Sequence, residues 1–131
     1  MSPDPTELTF VFTQLKILGS CRTPFAVKGG GHSTNPGFSS TPGVQIALSR
    51  LNSTTVNVKD GTVEIGPGLT WDQVYEALGS TGVNVVGGRV TGVGVAGLTL
   101  GGGIVAAPMT GWLIISDCRI FVQVESIRTR Y

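Results

Sequence analysis

The sequence predicts an α+β domain. Three observations carry that prediction: two stretches with the period of a helix, several short apolar runs with the pattern of strands, and no strict alternation between the two kinds. Regular βαβ alternation would have pointed to a doubly wound parallel sheet instead. At 131 residues, 40% of them apolar, the chain can fill one core and is too short for two.

Residues 6–20, TELTFVFTQLKILGS, open on Thr6 as a cap and carry Leu8, Val11, Phe12, Leu15 and Leu18 at steps of three and four. That spacing predicts an amphipathic helix ending near Gly19, with Pro24 closing the connection. Phe25-Ala26-Val27 is a short strand running into three glycines, and the loop STNPGFSSTPG is rich in turn residues. VQIALS (44–49) alternates as a strand does, and VNV (56–58) and TVEIG (62–66) flank Lys59-Asp60-Gly61 as a hairpin with an Asp-Gly turn. Thr70 and Gln73 have the spacing of a capping box, and Trp71, Val74, Tyr75 and Leu78 line one face of the helix that follows, up to about Gly79. Val83 to Val86 is a further strand, leading into GGRVTGVGVAGLTLGGG (87–103).

Charge excludes several functions. Nine basic and eight acidic residues leave a formal charge of +1, with no block of like charge, so nothing draws nucleic acid or an anionic membrane. No run approaches the roughly 20 apolar residues of a membrane span. MSPDPTELTF is acidic and Pro-rich where a signal peptide would be basic and then apolar, and the compartment stays open. Cys21 and Cys118 match no metal or CxxC spacing and read as small buried hydrophobes; no metal site is expected.

Glycine is the outlier, 20 of 131 residues, about twice its ordinary share. It is grouped at 29–31, directly before the single histidine, His32, and again at 87–103. Gly92-Val93-Gly94-Val95-Ala96-Gly97 satisfies GxGxxG, and Asp117 falls near the distance of a ribose-binding acid. The dinucleotide fingerprint also needs a long helix inside a βαβ unit, and Gly101-Gly102-Gly103 makes any helix beyond two turns costly, at about 1 kcal/mol per glycine relative to alanine. Two readings of the glycines remain. They form tight turns, or they bring backbone close to a ligand whose phosphates meet converging N–H groups.

KGGGHS, WDQVYEAL and GGRVTGVGVAGLTLGGG together resemble the FAD-binding domain of the vanillyl-alcohol oxidase and p-cresol methylhydroxylase type (PCMH-type). The nearest likeness is to the berberine-bridge-enzyme-like FAD-linked oxidoreductases of fungi, over about residues 8–103. The resemblance implies two small α/β subdomains that grip an extended FAD. Lys28, Gly29, Gly30, Gly31, His32 and Ser33 would form the loop under the flavin, with Lys28 where an arginine is common. His32 would match the histidine that many members join to the flavin 8α-methyl carbon, or would hydrogen-bond a noncovalent flavin. Val93, Gly94, Gly97, Leu98, Thr99, Gly102 and Gly103 would belong to the pyrophosphate loop. A second linkage, through a cysteine just before that loop, is not expected, because Val90 stands there.

Beyond Gly103 the likeness fails, with Gly111 and Asp117 only faint echoes of the family's usual pattern. The implied division is a helical lead-in over 1–24, an FAD-binding core over 25–103 and a divergent tail over 104–131. The C-terminal part of the fold is incomplete on this reading and the substrate domain absent. The expectation is an oxidoreductase fragment in which substrate hydride passes to flavin and oxygen reoxidises it, with little turnover alone. Exposed apolar faces are also expected, in keeping with a mean hydropathy of +0.27. Its partners would be FAD and an unidentified small substrate, and no residue is assigned a catalytic role. A noncatalytic remnant and a glycine-rich structural domain without cofactor are the competing readings.

Overall fold

The computed structural model describes residues 5–102, 113–116 and 119–127. Gly103, Gly111, Asp117 and Cys118 lie outside the described residues. The fold is α+β. Helix α1 (Pro5–Cys21) is followed by strands β1 (Phe25–Lys28), β2 (Val44–Ala47), β3 (Thr54–Asn57) and β4 (Thr62–Ile65). Then come α2 (Trp71–Leu78), β5 (Val83–Val85), α3 (Val95–Gly101), β6 (Leu113–Ser116) and β7 (Arg119–Ile127).

Helix α1 begins earlier and ends later than its sequence suggests. Thr6 lies inside the first turn, behind Pro5, a residue suited to that position because it lacks the N–H that a helix start leaves unpaired. Gly19 is helical rather than terminal. The stop is a Schellman motif around Arg22, at φ 50°, with Thr23 N–H donating to Leu18 O at 3.1 Å and Arg22 N–H to Gly19 O at 3.3 Å. Val11, Leu15 and Leu18 are half-buried, as the spacing predicts, while Phe12 is 56% exposed. Phe10 and Ile17 are exposed too, so apolar surface runs further around the helix than one stripe.

Two sheets follow. β1 and β2 pair in parallel, Ala26 opposite Gln45 and Lys28 opposite Ala47. The hairpin β3–β4 forms with Asn57 opposite Thr62, two residues before the strand placed at 56–58. Asn57 Nδ2 donates to Asp60 across the loop and Gly61 takes φ 62°, which closes the turn over 58–61 and leaves Val58 exposed. β7 occupies the middle of the larger sheet: β4 pairs with one edge, Ile65 opposite Ile120, and β6 and β5 share the other. The region read as a divergent tail therefore supplies the longest strand of the sheet.

Helix α2 keeps the expected box, Gln73 Oε1 accepting the Thr70 N–H at 2.9 Å. It buries Trp71, Val74 and Leu78 against Val63, Ile65, Leu69, Val83, Val85 and Val95. Each large aliphatic side chain so buried contributes about 1.5–3 kcal/mol. Trp71, 1% exposed, lies directly on the Gly87-Gly88 backbone: a Cβ on Gly87 would stand 2.1 Å from Trp71 Cε3. Among the described residues no helix is long and apolar enough to cross a membrane.

Candidate functional site

The two glycine clusters meet. Gly30 and Gly94 pack backbone to backbone, so closely that a Cβ on Gly30 would stand 2.7 Å from Gly94 N and Cα, and one on Gly94 would stand 2.4 Å from Gly30 N. Only hydrogen side chains permit that approach. Nearby, a Cβ on Gly29 would touch Ala96 Cβ at 3.7 Å, and one on Gly92 would touch His32 Cδ2 at 3.7 Å. The imidazole thus sits along the Gly92 turn, where φ is 82°.

Each cluster is held by an element already described. Residues 29–33 leave the end of β1, whose Lys28 O accepts Leu48 N–H at 2.9 Å. Residues 92–95 are fixed to the start of α2, with Trp71 N–H donating to Val93 O and Val95 N–H to Leu69 O, both at 2.9 Å. Val95, fully buried, anchors the first turn of α3 in the core. The core therefore sets where Gly94 stands, and Gly94 sets where Gly30 can stand.

Between and beside these segments lies a cleft of about 410 Å³. Of the residues expected to bind cofactor, Lys28, Gly29, Gly30, Gly31, His32, Ser33, Val93, Gly94, Gly97 and Leu98 line it. Thr99 and Gly102 do not. The helix turns Thr99 away, with its hydroxyl donating to Val95 O at 2.7 Å, and Gly102 ends α3 at φ 63°. Gly103, the remaining expected contact, is outside the described residues. Ala26, Val27, Phe38, Ser39 and Gln45 also line the cleft, and sequence reading missed them. The parallel pairing that puts Gln45 beside Ala26 joins strands far apart in sequence, so no local pattern announced it.

The chemistry of the lining is that of an anion site beside an apolar wall. None of the N–H groups of Gly29, Gly30, Gly31, His32 and Ser33 finds a protein acceptor among the described residues. The same holds for Ala96 and Gly97, whose first-turn positions have no acceptor within the helix. Leu98 N–H, expected to face phosphate, instead donates to Gly94 O at 3.1 Å. The Lys28 side chain folds over Gly31, its Cε 2.8 Å from where a Cβ would be. On the rim Phe38 is 76% exposed, and Ser39 donates to Gly31 O at 3.4 Å. Unpaired N–H groups with one ammonium suit a diphosphate, while Val27, Phe38 and Leu98 suit a ring. The residues present therefore fit a cofactor that joins a phosphate group to a ring. Among the described residues no group of three or more His, Cys, Asp and Glu is placed to hold a metal.

GxGxxG at 92–97 is not a dinucleotide fingerprint here. Nine residues separate β5 from α3, α3 has seven residues, and among the described residues β5 pairs with β7, antiparallel, and not with β6, so no βαβ unit surrounds it.

Comparison with known proteins agrees with this chemistry. A family model described as an FAD binding domain matches residues 11–111. The FAD-dependent monooxygenase macF of Penicillium terrestre is 47% identical over 99 residues, 74% of this chain and 19% of that protein. The FAD-dependent monooxygenase yanF of Aspergillus niger is 43% identical over 100 residues, 75% and 17% respectively. An uncharacterized FAD-linked oxidoreductase of Arthroderma benhamiae is 48% identical over 89 residues, 67% and 18%. The chain thus spans less than a fifth of the length of these three relatives.

Proposed function

Since the chain belongs to the FAD binding domain family, with FAD as its cofactor, we propose that the cleft between residues 29–33 and 92–98 is where it holds that FAD. The backbone contact of Gly30 with Gly94 carries this reading, because it brings both glycine segments to one surface. Gly29 to Ser33 present unpaired N–H groups from one side and Ala96 and Gly97 from the other, with Lys28 adding the positive charge for the diphosphate. Thr99 and Gly102 act behind this surface, shaping the end of α3. The cofactor core lies in residues 25–103 with α1 leading into it, in the two-subdomain PCMH-type arrangement, and the small β1–β2 sheet is one of the two parts.

The protein's share of the work is to bind, orient and exclude water, since the redox chemistry belongs to the cofactor. Bound FAD supplies hydride acceptance from an organic substrate, with dioxygen as the final acceptor, and the complete enzyme is an FAD-linked oxidoreductase. His32, exposed at the cleft and packed along Gly92, offers a ring nitrogen for a bond to the flavin 8α carbon. Such a bond would replace one flavin C–H and one imidazole N–H, a two-electron oxidation for which dioxygen would be the acceptor.

Acid precipitation after growth with FAD tests the reading. Flavin absorbance is expected to stay with the wild-type pellet and to move to the supernatant for His32→Ala, which still binds FAD before acid. Release from both chains would assign His32 a hydrogen-bonding role only. No flavin in either folded chain would end the reading of the cleft.

A further inference from the structure

The side chain of Asp72 is not part of the cleft, yet it holds one of the cleft's walls. Three hydrogen bonds join the start of α2 to residues 92–95. Two are the backbone bonds of Trp71 N–H to Val93 O and Val95 N–H to Leu69 O. The third runs from Gly92 N–H to Asp72 Oδ2 at 2.6 Å, across 20 positions of sequence. Any residue could supply the first two. The third needs an acceptor oxygen on a short side chain at the second position of α2, and a carboxylate accepting from a backbone N–H makes one of the stronger bonds of its kind.

Gly92 is the peptide that touches both sides of the site. Its φ of 82° turns the chain, its carbonyl oxygen would lie 3.1 Å from a Cβ on Gly30, and its own α-carbon faces His32 Cδ2. A glycine at positive φ, with no Cβ to restrict it, has other conformations open to it, so something must select one. We propose that Asp72 is a positioning residue of the FAD site: its carboxylate fixes the Gly92 turn in the one orientation that backs both Gly30 and His32. This assignment rests on the reading of the cleft as the FAD site.

The test compares Asp72→Ala, which removes the acceptor, with Asp72→Asn, which keeps an acceptor oxygen at the same place. FAD dissociation constants are measured on the full chain and both variants in a His32→Ala background, where no covalent bond holds the flavin, alongside thermal midpoints and the chemical shift of the Gly92 amide proton. The expected result is a Gly92 proton well downfield in the wild type and displaced upfield in Asp72→Ala. FAD binding should weaken about tenfold in that variant, the scale of one charge-assisted bond. Asp72→Asn should restore most of the affinity at an unchanged thermal midpoint, which a loss of general stability would not reproduce. Wild-type affinity in Asp72→Ala, or an Asp72→Asn loss as large as that of Asp72→Ala, would overturn the assignment alone. A wild-type chain that takes up no FAD would overturn the reading of the cleft and this assignment with it.

Discussion

Gly30→Ala is expected to weaken FAD binding on the order of a hundredfold, the equivalent of about 3 kcal/mol. The added methyl would meet Gly94 N and Cα at 2.7 Å and Gly92 O at 3.1 Å. All three are backbone atoms, which have no rotamer to escape into, so relief requires the two segments to move apart. Gly94→Ala is expected to do the same from the opposite side, its methyl 2.4 Å from Gly30 N and 2.9 Å from Gly30 Cα. Gly101→Ala is the internal control. It lies in α3 with nothing within 4 Å of the new methyl, and exchanging glycine for alanine in a helix favours the helix by about 1 kcal/mol. Equilibrium titration with FAD in a His32→Ala background, where binding is reversible, read beside urea midpoints, should show loss of affinity for the first two and unchanged affinity with equal or better stability for the third. Equal affinity in all three would mean that the contact between the clusters does not shape the site.

Trp71→Ala is expected to cost about 3–5 kcal/mol of folding stability, a large part of the roughly 5–15 kcal/mol that holds a domain together. Trp71 is among the largest fully buried side chains, its ring centroid 6.0 Å from that of Tyr75, and it fills the space that the Gly87-Gly88 backbone leaves open. Removing it leaves a void bounded by backbone that cannot collapse far. Trp71→Phe should lose markedly less. Phenylalanine keeps most of the ring, and it removes an indole N–H that has no acceptor among the described residues. Urea unfolding of the three chains at constant slope orders them; a Trp71→Ala midpoint near wild type would show that α2 is not seated through this residue.

These two substitutions also mark what the sequence reveals. The capping box of Thr70 and Gln73 and the apolar face of α2 were legible because both are local patterns with a physical period. The three glycines set an upper limit on any helix before them, which the seven-residue α3 respects, but the helix itself was not placed from the sequence. That the two clusters serve one cofactor was implied by the family resemblance and by no local pattern; the structure packs Gly30 against Gly94. What stayed hidden depends on partners remote in sequence. Gly87 and Gly88 open the second glycine cluster but serve as the bed of Trp71, a role set by a side chain 16 positions before Gly87 in the sequence. Arg22 ends α1 in a conformation more usual for glycine, because Pro24 soon follows and Gly19 is already spent inside the helix. β7 lies beyond the reach of the family likeness, although Ile120, Val122 and Val124 alternate as a strand does.

Amide mapping on titration with FAD probes the central claim most directly. If one FAD lies between the two glycine segments, the amides of Gly29 to Ser33 and those of Ala96 and Gly97 shift together, with the same dependence on added FAD, and gain protection from exchange. Shifts confined to one segment, or to neither while FAD still binds, would contradict it.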